Sequence, residues 1–274
     1  MISSDLEINK IFKIIKSAAA QILEVYNTSF RWEDKEDRSP LTLADKKSHQ
    51  TILNGLREVY PNIPVFSEEG KDISYEVRKQ WEYFWLVDPL DGTKEFIQRN
   101  GEFTINIALL HKDNPIFGII YVPVTGVFYF ALKGEGAYKL ENSERIGEIE
   151  NVTELVSISQ KLPLNISSDR PFTVVGCRSH MTPETKEYFD ELGKKYGNID
   201  TISAGSSLKF CMLAERRADI YPRLGPTMEW DTAAGQIIVE EAGGEVLTVD
   251  NLKPLRYNKE SLKNPWFVAK MQLK

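Results

Sequence analysis

Trp85-Leu86-Val87-Asp88-Pro89-Leu90-Asp91-Gly92-Thr93 is the stretch on which the reading of this chain turns. An apolar run ends in an acid, and a second acid follows three residues later. A strand that stops at Pro and Gly makes a tight turn, so the two carboxylates can converge on one point. Two anions at that range resist ionising together unless a cation lies between them. Hard oxygen ligands of this kind suit magnesium, which keeps waters and binds phosphate beside one or two carboxylates. Gly92 and Thr93 then open a predicted helix, whose free N–H groups favour a phosphate. The plainer alternative is that Asp88 caps the turn and Asp91 caps the helix.

Working outward, two further acidic sites have the same surroundings. Ser67-Glu68-Glu69-Gly70 follows the predicted strand Ile63–Phe66, and Trp230-Asp231-Thr232-Ala233-Ala234 opens an apolar helix. Taken singly, Glu68 reads as a loop acid and Asp231 as an N-cap. The N-cap role leaves the carboxylate able to face a shared site.

Periodicity fills in the frame. Ile8, Ile11, Phe12, Ile15, Ala18, Ala19 and Ile22 recur at helical spacing within 4–27, behind a Ser4–Glu7 capping box. A second helix is expected from Thr42, with Asp45 in its first turn, until Pro61 stops it. Strands are expected at Phe84–Val87, Phe103–Leu110, Ile116–Val122 and Val127–Leu132. Asn142–Pro163 reads as a crossing between two lobes. Beyond it strand and helix alternate: Phe172–Val175, Pro183–Tyr196, a strand near Ile202, Ser206–Glu215, Ala218–Tyr221, Asp231–Ala242 and Glu245–Thr248. That alternation predicts an α/β protein with helices packed on sheets. We expect residues 1–274 to form one domain with lobes of about 1–155 and 156–274.

Composition excludes several classes. The 274 residues carry 34 basic and 40 acidic side chains, a net charge of −6, and no basic run, which argues against binding to a nucleic-acid polymer. No apolar stretch is long enough to span a membrane, and the N-terminus lacks the apolar core of a signal peptide. Two cysteines, Cys177 and Cys211, and three isolated histidines support neither a disulfide framework nor a zinc site, and point to a reducing cytoplasm. No phosphate-binding P-loop, dinucleotide fingerprint or nucleophile elbow is present.

Taken together, Glu68-Glu69, Asp88 to Thr93, Trp230 to Ala234 and Glu241-Ala242-Gly243-Gly244 resemble the motifs of the lithium-sensitive, magnesium-dependent inositol monophosphatase superfamily. The order and spacing agree along nearly the whole chain. Lys35-x-Asp37-x-Ser39-Pro40-Leu41-Thr42-x-Ala44-Asp45 is similar to the pattern of its 3′(2′),5′-bisphosphate nucleotidase subfamily, with Leu41 in place of Val. Gly205-Ser-Ser-Leu-Lys-Phe210 and Tyr221-Pro-Arg-Leu-Gly-Pro-Thr227 resemble its bacterial, CysQ-like form.

The resemblance implies a layered α-β-α-β-α sandwich and about two or three magnesium ions. The ions would be held by Glu68, Asp88, Asp91, Asp231 and the carbonyl of Leu90. It implies that Asp45, Thr93 and Glu68 position the attacking water, and that Glu68, Leu90, Asp91, Gly92, Thr93 and Asp231 surround the substrate phosphate. Gly205, Ser206 and Ser207 are expected to begin a helix that receives an anionic phosphate, with Lys209 and Arg223 as nearby cations. The substrate implied is adenosine 3′,5′-bisphosphate, a by-product of sulfate assimilation, cleaved in the cytoplasm to AMP and phosphate. Inositol monophosphate or a sugar bisphosphate is the alternative substrate, and a non-catalytic nucleotide or metal sensor the alternative class. Oligomeric state is not legible.

Overall fold

In the first helix, α1 (Ile8–Tyr26), the apolar positions picked out by spacing are all buried, joined by Val25. The computed structural model describes residues 6–28, 32–34, 40–141, 149, 151–165, 170–176 and 182–272, with only the backbone of 32–34 and 40–42. Ser4, Lys35–Ser39, Cys177 and His180 lie outside the described residues. Glu7 stands at the N-cap of α1 without a side-chain cap bond.

A two-stranded antiparallel pair, β1 (Trp32–Asp34) and β2 (Pro40–Thr42), precedes α2 (Leu43–Val59). Then come β3 (Val65–Ser67), a short α3 (Tyr75–Arg78), β4 (Tyr83–Asp91), α4 (Thr93–Ile97), β5 (Thr104–His111), β6 (Asn114–Val122), β7 (Val127–Leu132) and β8 (Gly136–Leu140). Inside the expected crossing lie α5 (Val152–Ser157) and β9 (Gln160–Lys161). A seven-stranded sheet runs in the order β3-β4-β5-β6-β7-β8-β9, with β3 parallel to β4 and the remaining pairs antiparallel.

The second sheet is built from β10 (Phe172–Gly176), β11 (Ile199–Ser203), β12 (Ile220–Arg223), β13 (Gly244–Thr248) and β14 (Phe267–Met271), in the order β11-β10-β12-β14-β13. Its helices are α6 (Pro183–Tyr196), α7 (Leu208–Ala214) and α8 (Ala233–Glu241), the last preceded by a 3-10 turn at Glu229–Asp231. The C-terminal strand β14, which patterning did not single out, fills the gap between β12 and β13.

Strand alternation sorts the core into layers. Trp85, Val87, Ile105, Ile107 and Leu109 face α1 and α2, whereas Phe84, Leu86, Ala108 and Leu110 face α7 and α8. Those two helices also pack on Val175, Tyr221, Val246, Phe267 and Ala269 of the second sheet. Val174 and Ile220, one residue out of phase, face Leu192 of α6 on its far side. The result is the expected α-β-α-β-α layering. Among the described residues no helix is long and apolar enough to cross a membrane.

Candidate active site

β4 does not stop at Val87; it runs to Asp91 through an irregularity. Asp88 pairs with Asn106 and Asp91 with Thr104, so three steps on β4 match two on β5. In a regular strand, residues three apart point to opposite faces. The extra residue restores the phase. Asp88 and Asp91 therefore share the face of Asn106 and Thr104, toward α7 and α8, while Leu90 sits in the core beneath α1 and α2. The backbone N–H of Leu90 donates to Asp88 Oδ1 at 3.1 Å. Gly92 follows at φ 92°, the left-handed backbone that only glycine adopts freely, and Thr93 begins α4.

The other acids arrive from three directions. β3 is parallel to β4 and ends at Ser67, level with Val87, so Glu68, whose N–H donates to the carbonyl of Val87 at 3.1 Å, lies beside Asp88. Asp45 occupies the first turn of α2 and is 3% exposed. One turn on, Ser48 Oγ donates to the carbonyl of Pro89 at 2.7 Å and pins α2 to the β4 turn. His49 Nδ1 is hydrogen-bonded at 2.9 Å to Oγ of Ser67, the residue before Glu68. Asp231 closes the 3-10 turn, its Oδ2 accepting the N–H of Met228 at 2.8 Å. Buried Glu229 braces that turn by accepting the N–H groups of Asn258 and Lys259 and the Lys259 ammonium at 2.6 Å.

These carboxylates feel one another. Burial, followed by the charges of Glu68, Asp91, Asp231 and Asp45, raises the pKa of Asp88 well above the usual carboxylate range. Asp231 is likewise raised, first by burial and then by Asp91, with Arg223 opposing. Carboxylates gathered and buried in this way are hard oxygen donors that suit a divalent cation in chemistry and charge. Among the described residues no three His, Cys, Asp or Glu side chains form a ready-made cluster. That is compatible with ions that take one or two carboxylates each and complete their shells with water and phosphate.

The 205–207 segment differs from expectation. The helix begins at Leu208, not at Gly205 or Ser206, because Ser206 adopts φ 44° and breaks the helical path. The N–H of Gly205 donates at 2.8 Å to Glu102 Oε2, which gives it an anionic partner within the chain. A Cβ on Gly205 would lie 2.5 Å from Glu95 Cγ, so the segment is pressed against α4. A Cβ on Gly92 would lie 3.2 Å from Ser206 Cβ, which places Ser206 over the Asp-Gly-Thr turn. Ser207 Oγ stands 2.7 Å from Asp91 Oδ2 and 2.9 Å from the carbonyl of Asp231, joining the two acids. Lys209 is 4% exposed and turned inward, donating to the carbonyls of Ala204 and Ser206. Arg223 donates to the carbonyl of Pro226 and, with Thr182, Thr185, Phe189 and Tyr221, lines a cavity of about 110 Å³.

Sequence reading passed over Ser48, Glu229 and Asn106, and took His49 as an isolated surface or helix histidine. The signal for Asn106 was present: one amide in the apolar run Thr104–Leu110, at 1% exposure, needs a buried partner.

Comparison with known proteins gives a consistent picture. Residues 6–267 match the model of a family described as "Inositol monophosphatase family". A curated protein of Shigella flexneri, "3'(2'),5'-bisphosphate nucleotidase CysQ", is 44% identical over 263 residues, covering 95% of this chain and 98% of its own. Its namesake in Escherichia coli (strain K12) is 43% identical over the same length. The crystal structure of CysQ from Bacteroides thetaiotaomicron, titled a bacterial member of the same family, superposes with a TM-score of 0.85 at 44% identity. It covers 98% of this chain and 99% of that one.

Proposed function

The chain belongs to the inositol monophosphatase family, and from that premise we propose that it is a magnesium-dependent phosphatase acting on 3′(2′),5′-bisphosphate nucleotides. The reaction removes the 3′-phosphate of adenosine 3′,5′-bisphosphate and gives AMP and phosphate, which would recycle a by-product of sulfate assimilation in the cytoplasm. The chemistry rests on one observation: Asp88, buried at the β4 bulge, lies within the field of Glu68, Asp91, Asp231 and Asp45. The substrate rests on near-full-length likeness to nucleotidases of that name.

Glu68, Asp88, Asp91, Asp231 and the carbonyl of Leu90 would hold the ions. Bound magnesium would offset phosphate charge and lower the pKa of a water. Asp45 and Thr93 would orient the attacking water, with Asp45 accepting its proton; both flank the bulge, one from α2 and one from α4. Ser206 and Ser207 close the opposite side against the turn. Lys209 would act from behind the 204–206 backbone, through its charge, and Arg223 would meet the phosphate that is not cleaved.

A phosphate-release panel tests this reading. With Mg²⁺ present, adenosine 3′,5′-bisphosphate should turn over faster than inositol monophosphate or fructose bisphosphate, and chelation should abolish the activity. Preference for inositol monophosphate would reassign the substrate, and no release from any of the three would remove the enzyme reading.

A further inference from the structure

Asp91 is held by more than its strand. Asn106 lies on the same face of β5, and its Nδ2 is 2.9 Å from Ser207 Oγ and 3.3 Å from Asp91 Oδ2. Ser207 Oγ reaches the same Oδ2 at 2.7 Å. On the far side, Thr104 Oγ1 donates to Asn106 Oδ1 at 2.9 Å. The amide orientation follows from chemistry. Turned over, it would set its carbonyl oxygen against a carboxylate and leave two buried acceptors in contact.

Both donors meet one oxygen of Asp91. A carboxylate tied by Oδ2 has a fixed plane, and its Oδ1 is presented at one angle. This arrangement crosses the layers of the fold: Thr104 and Asn106 come from the first sheet, and Ser207 from the residue before α7. It is complete only when the two halves have closed on each other.

We propose that Asn106, set by Thr104 and acting with Ser207, is a positioning residue that occupies Asp91 Oδ2 and reserves Oδ1 for a divalent cation. The proposal rests on the reading of Asp91 as a metal ligand. It assigns Ser207 to holding an acid, a role distinct from receiving a phosphate. Partners that orient a ligand in this way are generally worth about 10–100-fold in metal affinity.

The test measures Mn²⁺ binding by calorimetry without nucleotide, in the full chain and in Asn106→Leu, Ser207→Ala and Asp91→Asn. Asn106→Leu and Ser207→Ala should each weaken Mn²⁺ binding by about 10–100-fold. The Mg²⁺ concentration for half-maximal turnover should rise in step. Because the two side chains act as a unit, the double variant should lose less than the product of the single losses. Should Asn106→Leu fail to fold, Ser207→Ala, a smaller truncation, decides alone. Unchanged Mn²⁺ affinity in the soluble variants, with Asp91→Asn losing it, overturns the positioning role and leaves the metal reading standing. Unchanged affinity in Asp91→Asn overturns both.

Discussion

Asp88 and Asp91 can serve one site only because β4 carries an irregularity between them, and the two residues then differ in what surrounds them. Asp88 is 1% exposed with one oxygen on the N–H of Leu90. Asp91 is partly exposed and tied through Oδ2 to Ser207. Asp91→Asn keeps the shape but removes the charge, so turnover should fall at least about a hundredfold, the scale of losing one strong electrostatic contact. Phosphate release by the purified variant checks this; a rate within a few-fold of the parent would remove Asp91 from the site. Asp45 is argued to act on the water, not on the nucleotide. Asp45→Ala should slow single-turnover hydrolysis by about 10²–10⁴-fold, the worth of a positioned base. Calorimetric affinity for the nucleotide should stay within a few-fold. A parallel loss of binding would return Asp45 to a structural part in α2.

At the scale of elements, α2 is fastened to the ends of two strands. Ser48 bonds to Pro89 after Asp88 on β4, and His49 bonds to Ser67 before Glu68 on β3. Burial lowers the pKa of His49 from its ordinary 6.5, outweighing the opposing charge of Glu69, with Arg57 adding to the fall. The folded state thus prefers the neutral ring. Stability from this group is fully present above pH 6.5 and is lost as pH falls through the lowered value. Urea unfolding of the parent and of His49→Asn, run from pH 7.5 down to pH 5, should show the parent losing its advantage as the pH drops. An advantage that holds or grows on acidification would mean that protonated His49 is the bonded form.

For the whole molecule, the middle helical layer sets the tolerance. A Cβ on Gly235 of α8 would lie 2.4 Å from the Phe210 ring of α7, and one on Gly118 of β6 would lie 2.5 Å from Ile237 Cγ2. The Phe210 ring cannot step aside, because Tyr221 and Phe267 pack on it with centroids 5.3 Å and 5.8 Å away. Gly235→Ala should therefore destabilise by about 1–3 kcal/mol, the usual cost of overpacking, despite alanine's better helix propensity. Equilibrium unfolding measures it; a stabilised variant would mean that α7 and α8 separate more easily than their packing indicates. The same closeness brings Asp231, just ahead of α8, to the carboxylates of β4.

The sequence by itself determined the helices and strands with strong periodicity, the alternation that makes an α/β protein, and the acids that gather at the site. Apolar spacing in α1 and the strand-end acids at Glu68, Asp88 and Asp91 are local signals, fixed by which face must leave water and where the chain must turn. Tertiary structure alone decided the rest. The shared face of Asp88 and Asp91 depends on pairing with Asn106 and Thr104, a register that no local spacing contains. The start of α7 at Leu208 depends on Ser206 taking a left-handed backbone, in a segment pressed against α4. The inward turn of Lys209 depends on carbonyls, those of Ala204 and Ser206, that only the folded loop presents. Local propensity counts what a residue prefers, whereas the bulge is set by the register of the neighbouring strand, the buried cation by the carbonyls of a folded loop, and Asp91 Oδ2 by a serine 116 residues away, and those positions exist only once the layers have packed.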